Sequence, residues 1–159
     1  MPLLSWGIEV TIRQAGPADA AVIAELNLRL AAETEGLRLD PATVEQGVTS
    51  LLHDRAKGIY FVAENAGQII GQVMITYEWS DWRNGNIWWL QSVYVKKAFR
   101  EKGIFRRLFE HLKREAESQQ EVCTLRLYMH KENARARQSY ARLGMKQTHY
   151  EVFELELER

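Results

Sequence analysis

The sequence predicts an α+β (mixed α/β) fold, and three observations predict it. Several runs alternate apolar and polar residues, the period of strands half-buried in a sheet. Residues 87–95 are almost all apolar or aromatic, as in a central strand covered on both faces. Between such runs lie segments with apolar residues at helical spacing, giving the order strand, two helices, three strands, helix, strand, helix, strand.

Each element has its own reason. Over residues 8–14, Ile8, Val10 and Ile12 alternate with polar neighbours. Pro17 and Asp19 then open a helix whose apolar side is Val22, Ile23, Leu26 and Leu30. After a polar loop, Pro41 begins a second helix with Val44, Val48 and Leu51 or Leu52 on one face. Residues 59–64 and 68–79 read as strands joined by Asn65-Ala66-Gly67, a turn in which the glycine supplies positive φ, so the pair is a hairpin. A polar connection, 80–86, leads to the central strand at 87–95. Ile104, Phe105, Leu108, Phe109, Leu112 and Ala116 form one stripe of a helix over 103–118. A strand at 122–130, a helix at 132–143 stopped by Gly144, and a last alternating strand at 145–157 complete the chain.

At 159 residues the chain is long enough for one well-formed core, so a single domain over 1–159 is expected; no repeat or Pro/Gly/Ser-rich linker divides it. Its 46% hydrophobic and 26% charged residues exclude disordered and fibrous classes. Lys plus Arg and Asp plus Glu are both 21, so no overall field holds the chain on nucleic acid or an anionic membrane, and any anion site must be local. Residues 1–10 carry no basic leader, and no apolar run approaches the roughly 18 residues of a membrane span, which predicts a cytoplasmic protein. Cys123 is the sole cysteine and sits in the alternating run 122–128, where a small buried hydrophobe is expected rather than a nucleophile. His53, His111, His130 and His149 lack metal-ligand spacing, so no metal is expected, and His130 is read as a capping or surface residue.

The stretch 93–107 runs from the central strand through a basic loop into a helix. Helix N-termini carry unpaired amides and partial positive charge, and Arg100, Lys102, Arg106 and Arg107 add cations, so a pyrophosphate is the natural ligand. Those cations could equally be the solvated face of the helix; position argues otherwise, because ligands gather where central strands end and helices begin. The loop is neither a Walker loop nor a GxGxxG dinucleotide loop, which counts against nucleotide hydrolysis and hydride transfer.

Arg100-Glu101-Lys102-Gly103-Ile104-Phe105 resembles the (Arg/Gln)xxGx(Gly/Ala) loop of the GCN5-related N-acetyltransferases (GNAT), with Phe105 in the Gly/Ala slot. About 30 residues on, 133–145 is close to that family's NxxAxxxYxxxGF segment, carrying Asn133, Ala136, Tyr140 and Gly144-Met145. The resemblance implies a mixed, mostly antiparallel sheet with helices on both faces, and acetyl-CoA as cofactor. It implies backbone contacts from Val93, Tyr94 and Val95 to pantetheine and the acyl carbonyl, and contacts from Arg100, Glu101, Lys102, Gly103, Phe105 and Arg106 to the pyrophosphate. By the same resemblance, Tyr140 protonates the departing sulfur, and Asn133 hydrogen-bonds the pantetheine arm or nearby backbone.

No side chain beside the central strand is an obvious base for the amine, since Gln91 and Ser92 occupy the likeliest places. Glu78 is the preferred candidate, with Glu33 or Glu35 after it; a water chain or an already neutral amine would also serve. Four of the five tryptophans fall between Tyr77 and Trp89, and Trp79, Asp81 and Trp82, with Glu33, suit a small cationic amine through cation–π and charge pairing. Trp88 and Trp89 are expected to fill the core, or else a contact between two copies in a homodimer. The reading is an acetyl-CoA-dependent N-acyltransferase acting on a primary amine in a ternary complex, without an acyl-enzyme because Cys123 is expected to be buried. The alternative is a non-catalytic or regulatory acyl-CoA-binding module; nucleic-acid binding by the arginines of 100–107 and 135–142 is disfavoured by the neutral charge.

Overall fold

Successive side chains of a strand point to opposite faces, and in this chain the two faces of one sheet are given to different helices. The computed structural model describes residues 7–158; residues 1–6, most of the stretch read for a leader, and Arg159 lie outside the described residues. The chain divides into two compact units, Met1–Leu127 and Tyr128–Arg159.

The first unit contains β1 (Thr11–Gln14), α1 (Ala20–Glu35), α2 (Pro41–Leu52), β2 (Ile59–Asn65), β3 (Gln68–Ser80), β4 (Gly85–Val95), α3 (Ile104–Glu117) and β5 (Val122–Arg126). The sheet order is β1-β2-β3-β4-β5, antiparallel throughout except for the parallel pair β4 and β5. This is the mixed, mostly antiparallel sheet that the resemblance implies. Tyr60 and Val62 of β2 join Ile23 and Leu26 of α1 and Val48 and Leu51 of α2 in one buried cluster. Phe61, on the opposite face, meets the His111 ring of α3 edge-on at 5.3 Å between centroids. Helices therefore cover both faces.

Local chemistry sets the element ends. Asp19 holds Arg13 through both oxygens, at 2.8 and 2.9 Å, and accepts the Gly16 amide at 2.8 Å. Arg13 also reaches Glu64 at 2.7 Å, so one guanidinium ties the approach to α1 to both β1 and β2. Asp40 caps α2 by accepting the Thr43 amide at 2.9 Å, with Pro41 in the first turn where its missing amide costs nothing. The α3 stripe is buried at Ile104, Leu108, Phe109, Leu112 and Ala116, as its spacing requires. Gly71 lets α3 approach: a Cβ there would lie 3.2 Å from the Tyr94 carbonyl oxygen and 3.3 Å from Ile104 Cγ2.

Two expectations are corrected in this unit. Cys123 is exposed rather than buried, since among the described residues β5 pairs only with β4 and lacks the cover of a central strand. Its thiol donates to the Asn86 carbonyl at 3.4 Å. The strand predicted over 122–130 stops at Arg126, where its pairing with β4 ends at Trp89. Trp88, by contrast, is buried at 2% exposure, as expected of a core residue.

In the second unit, α4 (Ala134–Arg142) starts after Asn133 and is followed by Gly144 at φ 87°, the position predicted for a helix-stopping glycine. The alternating tail forms no strand among the described residues. Alternation stabilises a strand only when a neighbour pairs its backbone and covers one face, whereas Val152, Phe153, Leu155 and Leu157 are all exposed. No helix among the described residues is long and apolar enough to cross a membrane.

Gly58 gives a direct test of the packing. Its φ is 156°, and a Cβ added there would sit 2.3 Å from the Ile75 carbonyl oxygen, against backbone that cannot yield cheaply. Gly58→Ala is expected to lower stability by about 2 kcal/mol or more in urea titrations. Gly16→Ala, with open space around it, serves as the control and should change stability by less than about 0.5 kcal/mol.

Candidate functional site

The site is built on the last residues of β4. This strand pairs with β5 only from Asn86 to Trp89, so from Leu90 onward its β5-side edge has no strand partner in β5. Backbone groups along a strand point alternately to its two edges. The Lys96 amide donates to Ile70 on β3 at 2.8 Å, which directs Tyr94 to β3 as well and turns Val93 and Val95 to the open edge. The Val95 carbonyl is taken there by Arg100 Nε at 2.8 Å. Val93 thus presents its amide where a ligand backbone could pair with it, whereas Tyr94 is buried.

The same stretch carries a β-bulge. Gln72 pairs with Tyr94 but Met74 with Gln91, so β4 has one residue more than β3 across this step. Ser92 takes the strain, with a φ of 51° that a non-glycine residue rarely adopts. Gln72, fully buried, donates from Nε2 to Asn27 Oδ1 at 2.7 Å and to the Ser92 carbonyl at 3.1 Å. Asn27 in turn donates to the Tyr60 hydroxyl at 3.0 Å. Burial pushes the Tyr60 phenol up, an effect that the hydrogen bonds from Asn27 and Ser92 oppose.

Beyond β4, a single 3-10 turn at Lys97–Phe99 leads to Glu101, at φ 65°, and Gly103, at φ 75°, which caps α3. The left-handed backbone at Gly103 is what glycine supplies at little cost, and it aims the first-turn amides of α3 toward the end of β4's loop. Lys102 is exposed, its ammonium 5.6 Å from the Phe99 ring centroid. Arg106 is exposed and bonds Glu110 one turn along at 2.8 Å. Phe105 lies half-buried with its ring 6.3 Å from Phe109, so its bulk runs along α3. Donors and cations here match the needs of a pyrophosphate.

Arg100 is placed differently from the expected phosphate ligand. Besides Val95 it bonds Glu33 of α1 at 2.6 Å and lies 5.3 Å from the centroid of the Tyr94 ring. Tyr94 donates to the other Glu33 oxygen at 2.8 Å, and Lys97 lies 3.8 Å from it. Glu33, expected among the substrate ligands, is therefore the acceptor that ties α1 to β4 and the loop. Burial alone would raise its pKa, but the hydrogen bonds from Arg100 and Tyr94 outweigh it and hold the carboxyl below its ordinary value. The Tyr94 phenol moves up, through burial and the charge of Glu33.

The remaining predicted residues of the first unit gather at the other end of β4. Glu78 pairs in register with Ile87, six residues before Val93, or about 20 Å along the strand. It accepts from Trp89 Nε1 at 3.0 Å and Arg126 at 3.2 Å, with Arg126 also 5.6 Å from the Trp89 ring centroid. Trp79 and Trp82 are 59% and 90% exposed, and Asp81 is exposed at the β3–β4 turn. The structure does not bring Glu78, Trp79, Asp81 or Trp82 to the loop.

In the second unit, Asn133 is the N-cap of α4, its Oδ1 accepting the Ala136 amide at 3.0 Å. That is the backbone-bonding role among those expected of it. Tyr140 is half-buried, and burial raises its phenol pKa, so it is protonated at neutral pH. Sequence reasoning missed Gln72, Asn27, Tyr60 and Arg126. Only Gln72 left a signal, as a polar residue amid the apolar run from Ile69 to Ile75.

Comparison with known proteins follows the same lines. The family model described as "Acetyltransferase (GNAT) family" matches residues 26–145. The crystal structure of a possible acetyltransferase from Clostridium difficile 630 is 43% identical, with a TM-score of 0.89 over 94% of this chain and 99% of that one. A predicted acetyltransferase with acetyl-CoA from Clostridium acetobutylicum is 20% identical (TM-score 0.76, 93% and 96% covered). An aminoglycoside acetyltransferase from an uncultured soil metagenomic sample is 19% identical (TM-score 0.69, 95% and 99% covered). The last two share the fold. Among curated proteins, none matches.

The Glu33 linkage has a defined pH dependence. A carboxyl whose folded pKa lies below its ordinary value adds stability above about pH 4.3, and that stability is lost as pH falls through the folded value. Glu33→Gln should therefore cost about 1–2 kcal/mol in denaturant titrations at pH 7. The difference from the native chain should shrink steadily below about pH 4.

Proposed function

Because the chain belongs to the GNAT acetyltransferase family, we propose that it transfers the acetyl group of acetyl-CoA to a primary amine by direct attack in a ternary complex. The observation that carries this reading is the open edge of β4 at Val93, continued by a loop into the N-terminus of α3. One stretch of chain thus offers a backbone donor for an acyl carbonyl and, further on, amide donors with cations for a pyrophosphate. Acetyl-CoA, when bound, supplies the activated acyl group.

The residues then divide the work by type. The first-turn amides of α3, with Lys102 and Arg106, hold the diphosphate, since helix N-termini and charge-assisted bonds favour such anions. Arg100 acts one step back, keeping the loop against Val95 and Glu33. The Val93 amide faces the position where charge develops on the acyl oxygen. Tyr140 holds the proton that the departing thiolate needs, and its raised pKa keeps that proton in place at neutral pH.

No side chain is assigned as base. Glu78 is about 20 Å from Val93 in register and is paired with Arg126, beyond the reach of one bridging water. The amine arrives neutral or gives its proton to water. Trp79, Asp81 and Trp82 retain the chemistry of a cation site, but their end of β4 is too distant for a small acceptor to touch them and Val93 together. Cys123, although exposed, pairs with the start of β4 and is similarly remote, so an acyl-enzyme is not part of this mechanism.

Thiol release from acetyl-CoA with a panel of primary amines tests the activity. Binding of acetyl-CoA without thiol release for any amine would favour the non-catalytic acyl-CoA-binding reading. With an accepted amine, Tyr140→Phe is expected to lower kcat by about 10²-fold or more while the acetyl-CoA Kd from calorimetry changes less than about threefold. Equal loss of both would remove Tyr140 as proton donor.

A further inference from the structure

A polar side chain at the centre of an apolar strand needs a reason to be there. Gln72 is fully buried between Ile70 and Val73, which are fully buried too. Its two amide hydrogens have partners, Asn27 Oδ1 and the Ser92 carbonyl, but its Oε1 has none among the described residues. An unsatisfied buried acceptor is destabilising, and an apolar residue of the same shape would avoid that cost. Stability alone does not account for Gln72.

What Gln72 touches does. It lies opposite the β4 bulge and bonds the carbonyl of the strained residue, Ser92. The peptide between Ser92 and Val93 is trans, since the described chain contains no cis bond, and a trans peptide points its N–H opposite to its C=O. Holding the Ser92 carbonyl on the Gln72 amide therefore turns the Val93 N–H away from Gln72, and the alternation that sends the Val95 carbonyl to the open edge of β4 sends the Val93 amide there too. Left-handed backbone at a serine is disfavoured by roughly 1–2 kcal/mol and persists only where its surroundings over-determine it. Without the Gln72 bond this carbonyl loses its side-chain donor, and the Ser92 hydroxyl bond to Tyr60 does not fix the direction of the Val93 N–H.

We infer that Gln72 is a positioning residue for acyl transfer: it locks the Ser92–Val93 peptide so that the Val93 amide is pre-aimed at the acyl oxygen, with Asn27 orienting the Gln72 amide. The Asn27 amide is itself oriented by its bond to the Tyr60 hydroxyl, so the chain of control runs from α1 and β2 through β3 to β4. This inference rests on the acetyl-CoA reading of the site. It assigns the orientation of the Ser92–Val93 peptide to the Gln72 amide, which a fold-level likeness does not do.

The test is infrared difference spectroscopy with acetyl-CoA labelled with ¹³C at the thioester carbonyl, which needs no acceptor amine. In the native protein, the bound carbonyl band should move to lower wavenumber than in free acetyl-CoA. Gln72→Met removes both donors at similar volume and should abolish most of that shift, with the acetyl-CoA Kd changed less than about threefold. With an accepted amine, kcat should fall about 10²-fold, the scale of losing one oxyanion donor. Should Gln72→Met fail to fold, Asn27→Leu decides: it leaves Gln72 in place without its orienting acceptor, and a partial loss of the shift is expected. A full shift in a folded Gln72→Met, or in Asn27→Leu when only that variant folds, overturns the inference. So does a loss of affinity equal to the loss of kcat with the shift intact. Absence of acetyl-CoA binding by the native chain would overturn the acetyl-CoA reading and this inference with it, an outcome distinct from binding with an unshifted variant.

Discussion

Strand β4 has to satisfy two demands at once, full pairing with β3 on one edge and an unpaired stretch on the other, and the bulge at Ser92 is how it meets both. One additional residue in β4 bends the strand just beyond Trp89, the last residue that pairs with β5. The cost is a serine in left-handed backbone and a buried glutamine with an unsatisfied oxygen. Helix α1 carries part of that burden through Asn27, and another part of the same helix, Glu33, holds the loop that follows β4. Both ends of the open edge are thus secured by one helix on one face of the sheet.

The cationic loop illustrates how burial sorts charges that look alike in a sequence. Arg100, Lys102 and Arg106 are chemically similar and lie close together in the chain. Arg100 is directed inward to a carbonyl, a carboxylate and an aromatic face, and so gives the loop its shape. Lys102 and Arg106 are exposed and carry charge to the surface beside the first turn of α3. Planar guanidinium suits the inward role because several donors can be met at once in fixed directions.

Much of this was legible before any coordinates. Helical stripes and alternating runs located the sheet and helices, and α3 buries the residues its spacing predicts apart from Phe105, which is half-buried. The turn at Asn65-Ala66-Gly67 and the glycine after α4 follow from local backbone preference, which is a property of a few adjacent residues. Cys123 and the tail after Met145 were misread because the same alternation arises whether or not a neighbouring strand is present to cover it. Glu78, Trp79, Asp81 and Trp82 were grouped with the site because aromatic faces among carboxylates suit a cationic amine. A hairpin of two long strands sends them to the opposite end of the sheet.

By itself, then, the sequence determined the fold class, the helix α3, and the strand and loop that lead to it. These depend on periodicity and on residue types within short windows. Only the tertiary structure decided that Arg100 and Glu33 bind each other, that Gln72 bonds the bulge, and that Glu78 pairs with Arg126 six residues along β4 from Val93. Each of those outcomes is a pairing between residues far apart in the chain: 67 positions for Arg100 and Glu33, 45 for Gln72 and Asn27. Such pairings depend on strand register and helix placement, and neither leaves a periodic trace along the chain.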